Sequence, residues 1–419
     1  MSRLERNPAA IGEQVFDVAI VGGGITGAGV ARHAALAGLS TLLIEAADFA
    51  SGTSSRSTKL IHGGLRYLAM GDIGLVREGA LERKSLKVMA PHLTQPQWMV
   101  VPAQSRAAML KLRTGISLYE KLGAVETADR HQNWNSAAIA SHEPLLDQHR
   151  FPFACAYREY LTDDARLVMA TLRSAAIAGA VICNYAKLSS FSEQATEGLL
   201  LEIDDLLGGD RYSARARVLV NAAGPWVESV QAAYQGQREL KGESLPRLHL
   251  SKGVHVALPR EQLPINNMVM MTASDNRPVF AIPRGQVTYV GTTDTSVIGG
   301  PGYWPEVTYE DVAYLLEGVN RHFDCDDLGV GDVVGSWAGL RPLIHQPGKS
   351  PKEMSRKDEI WRSLPRVVSI AGGKLTGYRK MAEQVLGQVG QILERGTDLE
   401  DPLAVLPGGD VADVDALVA

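Results

Sequence analysis

Residues 16–49 read FDVAIVGGGITGAGVARHAALAGLSTLLIEAADF. The apolar run Phe16 to Val21 predicts a strand, and a glycine turn follows it. Ile25 to Ala37 predicts a helix ended by Gly38, and Thr41 to Glu45 a second strand. Gly22, Gly24 and Gly27 carry the G-x-G-x-x-G spacing, and Glu45 stands 18 residues beyond Gly27. Each position has a mechanical task. Gly22 permits the tight turn, Gly24 lets backbone approach a pyrophosphate, and Gly27 lets helix and strand touch, while Glu45 can accept hydrogen bonds from ribose hydroxyls. Strand, turn, helix, strand and acid in register predict an α/β dinucleotide-binding unit. An acid at position 45 repels a 2′-phosphate and so argues against NADP; the motif leaves NAD and FAD open.

Further along, a helix opens on Asp163 and Asp164 and closes at Gly179, ahead of a strand at Val181 to Tyr185. Alternation around Leu188 to Ile203 predicts a small antiparallel layer, and RVLVNAAGPW (217–226) an apolar strand ending on a small-residue turn. Near the other end, AGGKLTGYRK (371–380) is a glycine turn feeding an amphipathic helix marked by Leu375, Tyr378, Met381, Ala382 and Val385. Such a turn is an anion site, because first-turn N–H groups lack partners and the helix dipole favours negative charge. Only one complete nucleotide fingerprint is present, so a bulky cofactor touched by both ends of the chain fits better than two separate nucleotides. A flavin meets that requirement: reduced, it carries negative charge near N1 and O2, where a helix N-terminus stabilises it.

Composition narrows the partners. At 419 residues, 45% hydrophobic and 21% charged, the chain has the make-up of a soluble globular protein with room for two cores. A net charge of −5 with interspersed signs argues against nucleic acid. Cys155, Cys183 and Cys325 form no CxxC pair, which fits a reducing, cytoplasmic setting. MSRLERNPAAIGEQ shows no signal-peptide pattern, and Val18 to Ala31 is too short and glycine-rich to span a bilayer. No metal-ligand spacing and no nucleophile–base pair is visible, so no metal is expected.

Six ordered segments carry a resemblance: TSSRSTKLIHGGLRYL (53–68), NAAGPW (221–226), KGVHV (252–256), GTTDT (291–295), GLRPL (339–343) and GGKLTGYR (372–379). Together they resemble the FAD-dependent glycerol-3-phosphate dehydrogenases, in order from about Phe16 to Val389. The resemblance implies a Rossmann-like α/β FAD domain of the glutathione-reductase/D-amino-acid-oxidase type with an interleaved α+β substrate domain. It implies oxidation of sn-glycerol 3-phosphate to dihydroxyacetone phosphate, with electrons leaving through FAD to quinone or, in oxidase relatives, to dioxygen. Among the matched positions, Arg341 and Arg356 would be substrate arginines, Lys374 the family's lysine and His255 the base. Arg66 and Tyr67 would be further substrate contacts, and Ser54, Ser55, Lys59 and His62 would serve the FAD pyrophosphate and ring edge. Gly64, Ala223, Gly224, Gly373, Leu375 and Thr376 complete the implied cofactor set. The chemistry is consistent: a planar guanidinium donates two parallel hydrogen bonds to phosphate, and an imidazole suits proton abstraction near neutrality.

The expected division is a discontinuous FAD domain (1–95, 155–245 and 345–395), a substrate domain (96–154 and 246–344) and a tail (396–419). Longer members of the resembled family continue past LPGGD into a helical domain, of which that tail would be the start. A homodimer is a further expectation. RAAMLKLRTGISLYEKLG (106–123) spaces Met109, Leu112, Ile116 and Tyr119 on one helical face, with Arg106, Lys111, Arg113 and Lys121 around it. That pattern fits a helix lying on an anionic membrane, on the inner face of the cell membrane, or one packed on the protein core. Two rival functions stand beside the main one. One is an oxidase of a hydroxy acid or amino acid, with Arg341 clamping a carboxylate; the other is a flavin-binding protein without turnover.

Overall fold

Strand Val15–Val21 lies at the centre of the first of two sheets in the computed structural model, which describes residues 4–12, 14–65, 68, 72–194, 198–236, 246–345 and 358–410. It pairs in parallel with Thr41–Ile44 on one side and Arg211–Asn221 on the other, and the parallel order continues outward to Val181–Cys183 and Val367–Ala371. These strands are nearly continuous apolar runs because both faces are covered. One face receives helices Ile25–Leu36, Asp164–Ile177 and Tyr378–Leu393 over Val18, Ile20, Leu43 and Val220. The other receives the antiparallel hairpin Ala186–Gln194/Gly198–Asp205 through Leu188, Phe191 and Leu201. Helix Ile25–Leu36 sits so close to its strand that a Cβ at Gly27 would lie 1.9 Å from the Gly22 carbonyl oxygen.

Among the described residues the second sheet has ten strands and is largely antiparallel. Leu248–Pro259 forms its long axis, pairing with Gly335–Ile344 on one side and with Val287–Gly291 and Thr295–Ser296 on the other. Two-residue periodicity splits its side chains cleanly. Val100 joins the core under helix Tyr309–His322, whereas Met99 and Val101 join the core under helices Ile73–Met89 and Arg106–Leu122. Thr308 and Asp311 form a capping box that starts helix Tyr309–His322.

One expectation needs correction, and one pair of alternatives is decided. Phe153–Leu161 is an interior strand of the second sheet, paired along its length with Gln95–Ala103, so a division at residue 155 cuts through a strand. The chain crosses to the first sheet after it, where the Asp163 side chain caps helix Asp164–Ile177. Leu60–Ile61 also belongs to the second sheet. On helix Arg106–Leu122, Ile116 and Tyr119 are buried and Met109 and Leu112 pack on the same core, so the apolar stripe faces protein rather than a bilayer. Among the described residues, no helix is long and apolar enough to cross a membrane.

Candidate active site

A cavity of about 780 Å³ runs between the two sheets. At one end lies the fingerprint. Gly22 holds the turn at φ +115°, and a Cβ on Gly24 would meet the Ser54 hydroxyl at 3.0 Å, so backbone rather than side chains forms this wall. Ser54 Oγ accepts the Ile25 N–H at 2.9 Å, holding the segment from residue 53 against the helix start. The Glu45 carboxylate accepts the N–H groups of Gly23 (2.7 Å) and Ala47 (2.8 Å) and faces the cavity. Burial pushes its pKa up and these donors oppose the shift. A carboxylate offers about four lone-pair directions. Backbone N–H groups engage only part of these, which leaves acceptor capacity for a ribose.

The far C-terminal turn reaches the same cavity. Gly372 and Gly373 adopt φ +83° and +76°, and a Cβ on Gly373 would press Met381 Sδ at 2.6 Å. Thr376 Oγ1 accepts the His62 N–H (3.2 Å) and donates to the His62 carbonyl (3.1 Å), stitching this turn to the glycine pair Gly63–Gly64. Helices Ile25–Leu36 and Tyr378–Leu393 both have a glycine N-cap without a side-chain hydrogen bond, and their first turns or approaches line one cavity. Two under-capped helix starts, a backbone-lined trough and an acid at its end fit the anionic phosphates, ribose and ring of FAD.

The opposite end is built on the second sheet. Arg341 Nη2 donates to Thr292 Oγ1 (2.8 Å), and Nη1 donates to the Thr293 carbonyl (3.2 Å) and faces Asp294 Oδ1 at 3.5 Å. Gly253 makes room for this fork, since a Cβ there would lie 2.3 Å from Nη2. His255 is buried, stacked on Trp337 with ring centres 4.9 Å apart, and its Nε2 lies 3.0 Å from Thr58 Oγ1. Its Nδ1 is buried with no hydrogen-bond partner among the described residues. Burial first, then the charges of Arg341 and Lys59, hold this imidazole well below its ordinary pKa, so it is neutral at pH 7.

Of the residues read from the sequence, His255, Arg341 and Lys374 line the cavity. Gly22, Gly24, Glu45, Ser54 and His62 do so from the N-terminal half, and Ala223, Gly224, Gly373, Leu375 and Thr376 from later segments. Four expected cofactor contacts stand elsewhere. Lys59 Nζ pairs with Asp164 (2.7 Å) and the Ser55 carbonyl (2.9 Å), away from the cavity lining. Ser55, Gly27 and Gly64 also stand behind the lining, Gly27 as the helix–strand contact and Gly64 as a turn at φ +76°. Arg66, Tyr67 and Arg356 lie outside the described residues. Thr58, Trp337 and Arg277 were not singled out by sequence, although Trp337 and Thr58 enclose His255 and Arg277 lines the cavity. Among the described residues no cluster suits a metal ion. Cys155 and Cys183 are buried thiols with raised pKa values, inert as nucleophiles.

A second buried histidine gives a pH prediction. His322 accepts the Thr272 N–H on Nε2 and contacts the Gly318 carbonyl through Nδ1, and burial pushes its pKa from 6.5 down to about 4. The unfolded chain therefore takes up this proton first, and the contribution of His322 to stability is complete above pH 6.5 and falls as the pH drops toward about 4. Between pH 6.5 and pH 5 the protein should lose about 2 kcal/mol relative to a His322→Gln variant, read as a narrowing gap between their denaturation midpoints. A gap that widens on acidification contradicts the assignment.

Comparison with known proteins adds to this geometry. A family model described as FAD dependent oxidoreductase matches residues 17–369. The aerobic glycerol-3-phosphate dehydrogenase of Staphylococcus aureus (strain USA300) is 40% identical over 386 residues, covering 91% of this chain and 68% of that protein. The glycerol-3-phosphate dehydrogenase of Bacillus halodurans, solved in complex with FAD, superposes with a TM-score of 0.77 at 37% identity, over 96% of this chain and 70% of that one. The L-alpha-glycerophosphate oxidase of Mycoplasma pneumoniae shares the fold, with a TM-score of 0.70 at 17% identity, over 90% of this chain and 95% of that one.

Proposed function

The chain belongs to the FAD-dependent oxidoreductase family and, within it, to the glycerol-3-phosphate dehydrogenases, and from that premise we propose that it oxidises sn-glycerol 3-phosphate to dihydroxyacetone phosphate. The observation that carries the reading is one cavity with a glycine-lined trough at one end and a supported guanidinium beside a buried neutral imidazole at the other.

When bound, FAD supplies the two-electron oxidant that accepts the hydride from C2. The Gly22–Gly24 turn and the Ile25 helix start would hold its pyrophosphate, Glu45 its ribose, and the Gly372–Thr376 turn its ring edge, where a helix start would favour negative charge. Arg341 anchors the phosphate of the substrate, with its fork already fixed by Thr292 and Thr293 so that little orientation is lost on binding. Lys374 adds a second cation from the opposite wall. His255 takes the C2 hydroxyl proton at Nε2, where Thr58 Oγ1 now sits, and Trp337 fixes the ring plane by stacking. Because the imidazole is neutral well below pH 7, the base is in its proton-accepting form throughout the neutral range. Arg66, Tyr67 and Arg356 remain proposed substrate contacts by resemblance. So do a quinone acceptor, a homodimer and a peripheral seat on the cell membrane.

Anaerobic mixing tests the function. Glycerol 3-phosphate should bleach the yellow protein within a turnover, and glycerol, which lacks the dianion, should leave the spectrum unchanged. Bleaching by hydroxy acids or amino acids alone would replace this reading with an oxidase that clamps a carboxylate.

A further inference from the structure

Arg277 is built like a ligand-binding residue, and the proposed reaction has not used it. It precedes strand Pro278–Arg284 on a turn that Asn276 makes at φ +63°, and it lines the cavity together with Pro278 and Phe280. Its Nε donates to Asp275 Oδ2 at 2.5 Å, and its Nη1 donates to the Asp294 carbonyl at 2.9 Å. The guanidinium carbon stands 5.1 Å from the ring centre of Tyr314, whose hydroxyl donates to the other oxygen of Asp275 at 2.9 Å. Arginine has five N–H donors, more than these contacts consume.

Arg341 lines the same cavity and is held by the same segment. Arg341 Nη1 donates to the Thr293 carbonyl and Arg277 Nη1 to the Asp294 carbonyl, so two guanidinium groups hang on consecutive peptide oxygens of one segment. The Asp294 carboxylate, which also receives the Ser251 hydroxyl, lies against Arg341, while Asp275 accompanies Arg277. Two like charges lining one cavity repel unless countered, and a carboxylate beside each reduces that cost in the free protein. A single arginine would match a carboxylate ligand. A pair on adjacent carbonyls matches a dianion whose oxygens point in several directions, as a phosphate monoester does.

We propose that Arg277 is a second phosphate anchor, acting with Arg341 on the same phosphate group, and that Asp275 and Tyr314 are its positioning residues. The inference rests on the substrate reading given above and extends it. It assigns preference for the phosphorylated alcohol over its free form to both arginines, with Asp294 as the shared hinge between them.

Calorimetric titration of the FAD-loaded protein with dihydroxyacetone phosphate tests this without turnover. Arg277→Ala should weaken binding roughly 10- to 100-fold, the range for a lost charge-assisted hydrogen bond. Arg277→Lys, which keeps the charge and loses the fork, should fall in between. In steady state KM for glycerol 3-phosphate should rise by more than kcat falls, and bound FAD should be unchanged. Should Arg277→Ala fail to fold, Arg277→Gln removes the charge with less loss of packing and is read the same way. If Arg277→Ala binds as tightly as the parent while Arg341→Ala binds weakly, Arg277 is a structural turn residue and the second anchor is refuted. If the parent itself does not bind dihydroxyacetone phosphate, the substrate reading fails, and this proposal with it.

Discussion

Arg341→Ala is expected to lower kcat/KM for glycerol 3-phosphate by about 2–5 kcal/mol, the usual cost of removing one member of a desolvated charge pair. The expectation follows from how the side chain is held. Thr292 and Thr293 fix the fork, Asp294 lies beside it, and Gly253 leaves only enough space for the guanidinium. Because the fork is in place before substrate arrives, its loss removes binding that costs little ordering. FAD content should stay at the parent level, since Arg341 stands on the second sheet whereas the fingerprint belongs to the first. A loss under tenfold, or an equal loss with glycerol as substrate, would show that the phosphate is held elsewhere.

Gly27→Ala should be the most damaging change in the cofactor half. The added Cβ would lie 1.9 Å from the Gly22 carbonyl oxygen, a contact between two backbone elements that no rotamer change relieves. Separating helix Ile25–Leu36 from its strand would widen the turn that holds the pyrophosphate. The expected outcome is colourless protein with stability reduced by about 3 kcal/mol or more. Absorbance at the flavin band against protein content, together with a thermal melt, measures both. Gly387→Ala, on helix Tyr378–Leu393 with open space around its Cβ position, is the matched control and should be neutral or mildly stabilising. Equal behaviour of the two variants would refute the close-contact role of Gly27.

The fingerprint was legible because each of its parts is local: a strand, a turn, a helix and an acid within about thirty residues. The helix predicted to Ala37 ends at Leu36, and the small antiparallel layer predicted around Leu188 to Ile203 is present as a hairpin. Residues that meet only through sheet register were not legible. His255 and Trp337 are cross-strand partners 82 positions apart, and Thr58 comes from a third segment, so a histidine between two valines reads as ordinary strand. Arg277 reads as a turn residue beside Asp275 and Asn276, and only the fold brings it to Asp294. Helix Arg106–Leu122 marks a different limit. Met109, Leu112, Ile116 and Tyr119 form the same stripe whether lipid or protein covers it, and the partner, the core around Met99 and Tyr157, lies outside the helix sequence.

The parallel order of the first sheet has a consequence for how the protein comes into being. Strand Val15–Val21 acquires one neighbour, Thr41–Ile44, almost at once, but its other neighbour is Arg211–Asn221, and the turn that closes the cavity follows Val367–Ala371. At ribosomal speeds of roughly 5–20 residues per second, roughly a quarter of a minute to a minute separates the emergence of the fingerprint from that of the closing turn. For that interval an apolar strand edge stands open, the kind of surface that chaperones cover and that pairs with the wrong chain when they do not. Flavin capture is therefore an event of the nearly finished polypeptide. Truncated translation products that retain the whole fingerprint should still emerge without colour.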